Sequence, residues 1–344
     1  MTDEISKRKR EHLQIVHDQK VNFREQTTGF EHFHFVHNAL PEIDLEEVDT
    51  RTEFLGYKLA MPLMISSMSG GEDEGERLNR DLATVANRQK IPLGLGSIRP
   101  ALENRAALQS YLVARQNAPD IPLIANIGAT QLIKGLSSQK LLDLLREIQV
   151  NALSIHLNPL QEALQPEGQP HFKGVSRAIE ILKDTLPLPI IVKEVGFGLS
   201  TDVIQRLVKI GVQWIDIAGA GGTSWSRIEH LRTKNKIRQE VAAQFFEWGI
   251  PTTTAIQNAT KQKRLQVIAS GGIDNGLKFA KAIALGAELA GAATPFLLIR
   301  KQEGLKGLSR MIQVYGETLR ICMFCTGCRD LKEFRGNPTL ISHI

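Results

Sequence analysis

The stretch Leu153-Ser154-Ile155-His156-Leu157-Asn158-Pro159-Leu160-Gln161-Glu162 is an apolar run that breaks abruptly into a dense set of polar groups. Strand alternation predicts that Ser154, His156 and Asn158 share one face, and Pro159 then prevents further pairing as a strand. An imidazole, two amides and a carboxylate would converge at this strand end, which favours an active site. The alternative is a buried histidine and asparagine satisfied by backbone groups, with Gln161 and Glu162 merely starting a solvated loop.

The rest of the chain repeats a unit of apolar strand and amphipathic helix. Eight candidate strands cover residues 62–67, 91–96, 122–127, 153–157, 189–194, 214–218, 265–270 and 288–292. Helical patterns between them cover residues 77–89, 105–116, 139–148, 175–184, 201–209 and 277–285. Such repetition over about 250 residues predicts an α/β fold, a single (β/α)8 TIM barrel with its functional groups at the strand ends.

The predicted barrel occupies residues 59–344, and residues 1–58 form an N-terminal arm and extension packed on it. The gap between the sixth and seventh strands is long and contains the basic stretch 227–238. Long loops on this fold often act as lids, so we predict a functional loop there.

Composition narrows the class of protein. The formal net charge of +5 and the pI of about 9.1 suit acidic ligands but are too mild to indicate nucleic acid. No uncharged apolar run of about 18 residues is present, so no membrane association is expected and the predicted location is cytoplasmic.

Cys322, Cys325 and Cys328 form a close cluster that suggests a metal or iron–sulfur site. The favoured interpretation is small buried residues at a helix end, because only three thiols are present in an apolar helical pattern.

Glycine-rich segments follow the sixth, seventh and eighth candidate strands, at 219–223, 271–272 and 290–292. They let backbone N–H groups approach an anion closely, which predicts a phosphate cradle, although glycine in such turns can be simple loop punctuation. Lys193 lies in an otherwise apolar strand, so its ammonium needs an acceptor. A flavin ring would be suitable, and the alternative is an internal ion pair with Glu162, Glu194 or Asp216.

At these motifs the sequence resembles type 2 isopentenyl diphosphate isomerase, a flavin-dependent (β/α)8 enzyme. The resemblance covers nearly the whole chain and rests on the following segments: Arg8-Lys9-x-x-His12, Gly96-Ser97-x-Arg99, His156-Leu157-Asn158-x-Leu160-Gln161-Glu162, Lys193-Glu194-Val195-Gly196, Gly219-x-Gly221-Gly222-Thr223-Ser224-Trp225 with Glu229, and Ser270-Gly271-Gly272-Ile273.

The resemblance implies FMN as cofactor, NADPH as its reductant, Mg²⁺, and a homo-oligomer, tetrameric or octameric. The implied FMN-binding residues are Ser67, Met68, Ser69, Ser97, Asn126, Lys193, Thr223, Gly271, Gly272, Ala290 and Gly291. The implied ligands of the diphosphate substrate are Arg8, Lys9, Ser97, Arg99 and Gln161, with Glu162 on Mg²⁺.

The implied reaction converts isopentenyl to dimethylallyl diphosphate by a 1,3-allylic proton shift in isoprenoid biosynthesis. His156, Asn158, Gln161 and Glu229 are the expected catalytic residues. Either N5 of reduced flavin or a protein pair including His156 or Glu229 exchanges the protons, and the sequence leaves both open.

Four positions depart from the family pattern. Ser69 replaces threonine and keeps its hydroxyl, Ile98 replaces glutamine, and Asp274 and Lys278 replace arginine and aspartate. Two other functions stay in competition. One is a flavin oxidoreductase of the 2-hydroxy-acid oxidase or inosinate dehydrogenase kind, which shares the fold. The other is a non-catalytic flavin- or phosphate-binding protein that uses its basic N-terminus to bind a partner.

Overall fold

The computed structural model describes residues 2–68 and 73–343. The chain begins with helix α1 and then forms three short strands, which give regular structure to a region predicted to be irregular. These elements are α1 (Thr2–Asp18), β1 (Phe33–Phe35), β2 (Thr52–Phe54) and β3 (Tyr57–Leu59). Strands β2 and β3 pair as an antiparallel hairpin through the turn at Leu55 and Gly56.

Eight parallel strands then close into a barrel. In chain order they are β4 (Leu63–Ile65), β5 (Leu93–Ser97), β6 (Leu123–Gly128), β7 (Ala152–His156), β8 (Ile190–Lys193), β9 (Trp214–Asp216), β10 (Gln266–Ala269) and β11 (Leu289–Ala292). Strand β11 pairs with both β10 and β4, which completes the ring. The predicted TIM barrel is therefore confirmed, and each observed strand overlaps the segment predicted for it.

Helices cover the outside of the barrel and shape its rim. They are α2 (Asp73–Gln89), α3 (Arg99–Glu103), α4 (Gln109–Asn117), α5 (Ala129–Leu132), α6 (Ser138–Ile148), α7 (Pro159–Leu164), α8 (Val175–Thr185), α9 (Thr201–Lys209), α10 (Trp225–Arg232), α11 (Lys236–Ala243), α12 (Thr252–Thr260), α13 (Gly276–Ala284), α14 (Thr294–Phe324) and α15 (Leu331–Phe334). The last strand is β12 (Ile341–His343), which pairs antiparallel with β1. Helix α9 illustrates how the sequence sets the start and the buried face of a helix. The Ser200 hydroxyl accepts from the Val203 amide at the helix start, and Ile204 and Leu207 face the core.

The segment between β9 and β10 differs from the prediction of a long loop. It contains α10, α11 and α12, so the expected lid is largely helical. The Asn235 side chain caps α11 by accepting from the Arg238 amide, a start signal that the sequence contains. The basic charge of 227–238 obscured this helical pattern.

The β2–β3 hairpin closes the N-terminal mouth of the barrel. Phe54 and Leu59 are buried against apolar residues from the starts of the barrel strands, Met64, Ile124, Ala152, Ile191, Ile268 and Leu289. The Phe54 ring also meets Trp214 edge to face, with centroids 4.9 Å apart. The polar site is consequently confined to the opposite mouth, where the strands end.

The three cysteines lie near the end of α14. Cys322 and Cys328 are buried in the hydrophobic core, and burial raises the pKa of the Cys322 thiol to about 12. The described residues contain no group of three or more His, Cys, Asp or Glu side chains able to hold a metal ion. The positions of Cys322 and Cys328 agree with the packing interpretation.

In the part of the chain that the structure describes, no helix combines the length and apolar character needed to cross a membrane.

Candidate active site

A cavity of about 460 Å³ opens at the C-terminal ends of the barrel strands, and its size is ordinary for a cofactor or substrate pocket. Most of the predicted site residues line it. They are Arg8, Lys9, Ser67, Met68, Ser97, Arg99, Asn126, His156, Asn158, Gln161, Glu162, Lys193, Thr223, Gly271, Gly272 and Gly291. Ala290 is buried within β11 and Glu229 lies behind the cavity wall, so neither lines it. Ser69 falls outside the described residues.

His156 ends strand β7, beside Gly128 on β6 and Lys193 on β8. Its Nδ1 lies 2.6 Å from Asn126 Oδ1. Because a carbonyl oxygen only accepts, Nδ1 carries the proton and Nε2 keeps a free lone pair. Burial, reinforced by Lys193 and by Arg8 and Lys9 of α1, lowers the pKa of His156 to about 3. The imidazole is therefore neutral at physiological pH and suits polarising or orienting a ligand.

Asn158, Gln161 and Glu162 are placed by a turn of helix rather than by the strand. Strand β7 stops at His156, and Asn158 is the N-cap of α7. Ser154 and His156 lie two residues apart on β7 and share one face, although Ser154 is buried and does not line the cavity, whereas Asn158 lies beyond the strand. Asn158 Nδ2 donates to Gln161 Oε1 at 3.0 Å and to Glu162 Oε1 at 3.2 Å. The expected convergence of polar groups is nevertheless present.

Glu229 supports this cluster from behind. Its side chain is fully buried, and Oε1 accepts from His12 Nε2 at 3.0 Å and from Gln161 Nε2 at 3.3 Å. Burial alone would raise the pKa of Glu229, but hydrogen bonding with His12 and the charge of Arg232 lower it. Burial also lowers the pKa of His12. A neutral His12 thus donates to an ionised carboxylate.

Cationic side chains gather on one side of the cavity. Arg8 and Lys9 come from α1, and Arg99 begins α3 directly after β5. Lys9 Nζ donates to the carbonyl oxygen of Ser97 at 3.2 Å, while Arg99 Nε contacts Glu103 at 2.6 Å. Fixed cations of this kind can bind the phosphate groups of an anionic ligand.

Closely packed glycines form the other side. A Cβ on Gly271 would lie 2.1 Å from the Gly219 carbonyl oxygen, and a Cβ on Gly222 would lie 2.4 Å from the Gly272 nitrogen. The Thr223 and Thr294 hydroxyls are 2.7 Å apart, and α14 begins at Thr294. Gly271, Gly272 and the start of α14 line the cavity, and this combination fits the phosphate of a flavin mononucleotide.

Lys193 does not form the ion pair considered as its alternative role. Among the described residues its polar contact is with the backbone carbonyl of Glu194, at 2.5 Å. The Glu194 carboxylate instead accepts from backbone amides at 195–198, and Asp216 accepts from the Ser270 hydroxyl. The Lys193 ammonium lines the cavity and remains available to an electron-rich ligand.

Several lining residues had no predicted role. They include Asn22, Ser66, Gln131, Trp225 and Thr294. The Ser66 hydroxyl and Asn158 Oδ1 are buried and lack a hydrogen-bond partner among the described residues, as expected where a polar ligand completes the site. Trp225 stood within a recognised motif, but nothing local to the sequence marks Asn22 or Gln131.

The chain matches the FMN-dependent dehydrogenase family over residues 1–117 and 130–342. Among curated relatives, the isopentenyl-diphosphate delta-isomerase of Pyrococcus abyssi is 41% identical over 99% of this chain and 94% of the relative. The enzyme of the same name from Rickettsia bellii is 41% identical over 98% of each. The chain belongs to the isopentenyl-diphosphate delta-isomerases of the FMN-dependent dehydrogenase family. The resemblance expected from the motifs is confirmed.

Solved structures agree on the fold. A flavocytochrome b2 variant superposes with a TM-score of 0.70 at 19% identity, covering 96% of this chain and 82% of that one. A mandelate oxidase variant with benzaldehyde gives a TM-score of 0.67 at 17% identity and covers 98% of both chains. At such identities the likeness shows the shared barrel alone.

Proposed function

We propose that this protein interconverts isopentenyl diphosphate and dimethylallyl diphosphate by a 1,3-allylic proton shift that depends on reduced FMN and Mg²⁺. The observation that carries the proposal is one cavity lined in one part by closely packed glycines and in another by the cations Arg8, Lys9 and Arg99. A mononucleotide and a diphosphate would each need one such anion-binding region. The names of the relatives at 41% identity supply the substrate pair.

The glycines and Thr223 would bind the phosphate of FMN. Ser67, Met68, Asn126 and Lys193 would bind the other parts of the cofactor. NADPH would be the reductant. When bound and reduced, FMN would supply an N5 position able to exchange protons. Lys193 offers an ammonium at the end of β8, beside His156 on β7. We assign Lys193 the electron-rich edge of the ring, because its ammonium lines the cavity and has N–H donors beyond the one that binds the Glu194 carbonyl.

The chain's own side chains orient the substrate and keep water out. Neutral His156 presents Nε2, and Asn158 and Gln161 present amide groups beside it. Glu229 fixes Gln161 from behind and, being ionised, acts as an acceptor. General acid–base groups contribute about 10²–10⁴-fold, so His156→Ala or Glu229→Gln should lower the rate by about that factor if the side chain transfers a proton.

Glu162 is the proposed Mg²⁺ ligand. Its Oε1 accepts from Asn158 Nδ2 and its Oε2 accepts from the Gln169 amide at 2.7 Å, so the carboxylate is held in one orientation. One protein carboxylate leaves most of the coordination sphere to diphosphate oxygens and water, which is common for Mg²⁺.

Glu162→Gln should therefore raise the Mg²⁺ concentration needed for half-maximal rate by about tenfold, with little change in flavin content. A Mg²⁺ titration of the variant at saturating substrate measures this. The matched control is Glu180→Gln, which removes a carboxylate that pairs with Arg177 on α8 and does not line the cavity. Identical titrations for Glu162→Gln and wild type would remove Glu162 as a metal ligand.

The deciding experiment incubates the purified protein with FMN, NADPH, Mg²⁺ and isopentenyl diphosphate and follows dimethylallyl diphosphate. Parallel reactions with oxidised FMN and 2-hydroxy acids test the oxidoreductase alternative. A yellow protein that leaves both substrates unchanged would support a binding role only. Reduced 5-deazaFMN separates the two proton carriers, because its carbon at position five cannot exchange protons as nitrogen does. A native rate with that analogue would assign the chemistry to protein groups.

A further inference from the structure

Arg232 is a buried arginine shared by three carboxylates. It ends helix α10, and its side chain is only 3% exposed. Its Nη1 contacts Glu229 Oε2 at 2.6 Å, its Nη2 contacts Glu167 Oε1 at 2.5 Å, and its Nε contacts Glu11 Oε2 at 3.2 Å. Each carboxylate comes from a different segment, namely α10, the loop after α7, and α1. We call these four residues the Arg232 clasp.

The clasp is joined to the cavity through Glu229. One oxygen of this carboxylate binds Arg232, and the other accepts from His12 on α1 and from Gln161 on α7. Helix α1 is thus fastened through both Glu11 and His12, and the α7 segment through both Gln161 and Glu167. The same two segments carry the cavity-lining groups Arg8, Lys9 and Glu162.

Polar contacts hold α1 in addition to apolar packing. Among the α1 side chains that the structure describes, those of residues 8–18, Leu13 is buried in the hydrophobic core and Val16 is partly buried against it. A buried arginine must be paired, and removing one partner leaves uncompensated charge. Lysine cannot reproduce the contacts, because a single ammonium lacks the planar fork that reaches three acceptors at once.

We propose that Arg232 is a positioning residue that locks α1 and the α7 segment together over the cavity, so that Arg8 and Lys9 meet the diphosphate. This role rests on the function proposed above. Arg232 does not line the cavity, so it acts through the groups that it orders.

The test compares Arg232→Met, Arg232→Lys and Glu11→Gln with the wild-type holoenzyme. Amide hydrogen exchange of residues 2–18 is measured without substrate, and KM and kcat are measured for isopentenyl diphosphate. Both Arg232 variants should speed exchange in α1 and raise KM by about tenfold or more. Glu11→Gln, which leaves Glu229 untouched, should raise KM by about threefold, and the Glu11 and Arg232 effects should be strongly non-additive.

Arg206→Met is the matched control. Arg206 pairs with Asp202 at 2.8 Å on α9, but its side chain is 64% exposed and does not line the cavity. The Arg206→Met variant should have the same amide exchange in α1 and the same KM as the wild type. If Arg232→Met does not fold, Arg232→Lys and Glu11→Gln still decide the question.

Wild-type exchange in α1 for both Arg232→Lys and Glu11→Gln would overturn the proposal, as would a loss confined to kcat. The exchange measurement needs no substrate. Inactivity of the wild-type protein would therefore refute the proposed isomerase function and leave the clasp itself measurable. Conversely, an active enzyme with unchanged exchange in both variants would refute the clasp alone.

Discussion

The two ends of the cavity present anion-binding groups of different kinds. The glycine end, at 219–223, 271–272 and 291–294, offers backbone N–H groups and the start of α14. The charged end offers the side chains of Arg8, Lys9 and Arg99, with Glu162 beside them. Backbone donors in a closely packed cradle are fixed, whereas long cationic side chains can move and are screened by salt. The first suits a cofactor that stays, and the second suits a substrate that must leave.

Gly271→Ala should damage the glycine end most. Gly271 has φ +100°, and an added Cβ would lie 2.1 Å from a backbone carbonyl oxygen, so the cradle must move. We expect loss of bound flavin and a clear fall in melting temperature, measured by absorbance and calorimetry. The control is Gly135→Ala, at φ +77° with open space around it, which should cost only about 1–2 kcal/mol of stability. Equal flavin contents in both variants would show that the cradle is not the phosphate site.

Lys193→Ala should weaken flavin binding by about 10- to 100-fold, the worth of one charge-assisted hydrogen bond, and should abolish turnover. Flavin fluorescence titration of the apoprotein gives the dissociation constant. Lys209→Ala, which removes an exposed lysine on α9, is the control. Full flavin content and a wild-type rate in Lys193→Ala would assign its ammonium to the backbone contact with Glu194 alone.

Removal of residues 1–12 should affect the charged end and spare the other. The barrel begins at Leu63, so the truncated protein should fold and stay yellow while its KM rises by about tenfold or more. The dependence of KM on salt should also flatten, because screened cations are lost. The double variant Arg8→Gln, Lys9→Gln is the companion that keeps the helix. An unaltered KM in both would mean that the arm is merely solvated.

The smallest effect concerns His156, which lies near Lys193 and the charged end. Its pKa of about 3 lies below the value of about 6.5 expected when unfolded. Between these values the unfolded chain binds a proton that the folded chain does not, so stability falls as pH falls, by about 1.4 kcal/mol per pH unit. His156→Gln should reduce that slope in denaturant titrations of the apoprotein. A slope equal to that of the wild type would indicate that His156 is protonated in the fold.

The fold was predictable because its signals are local. Each barrel strand has its own apolar run, and the helix on which Thr201 and Lys209 lie was predicted with the bounds observed. The strand-end chemistry followed from the same pattern. Contacts between distant segments were not predictable: His12 and Glu229 are 217 positions apart, and β1 meets β12 near the end of the chain. Between β9 and β10, the charged residues of α10 and α11 and the uncharged, threonine-rich sequence of α12 concealed the helical pattern.

The β2–β3 hairpin has a kinetic consequence. Phe54 and Leu59 block the N-terminal mouth of the barrel, so ligands enter and leave through the opposite mouth. Helix α1 lies beside that mouth. The product can leave only after the cations that bind its diphosphate release it. Tighter binding by these cations would therefore lengthen the residence time of the product. The turnover number would then be limited by opening of the barrel mouth beside α1 and would become sensitive to solvent viscosity.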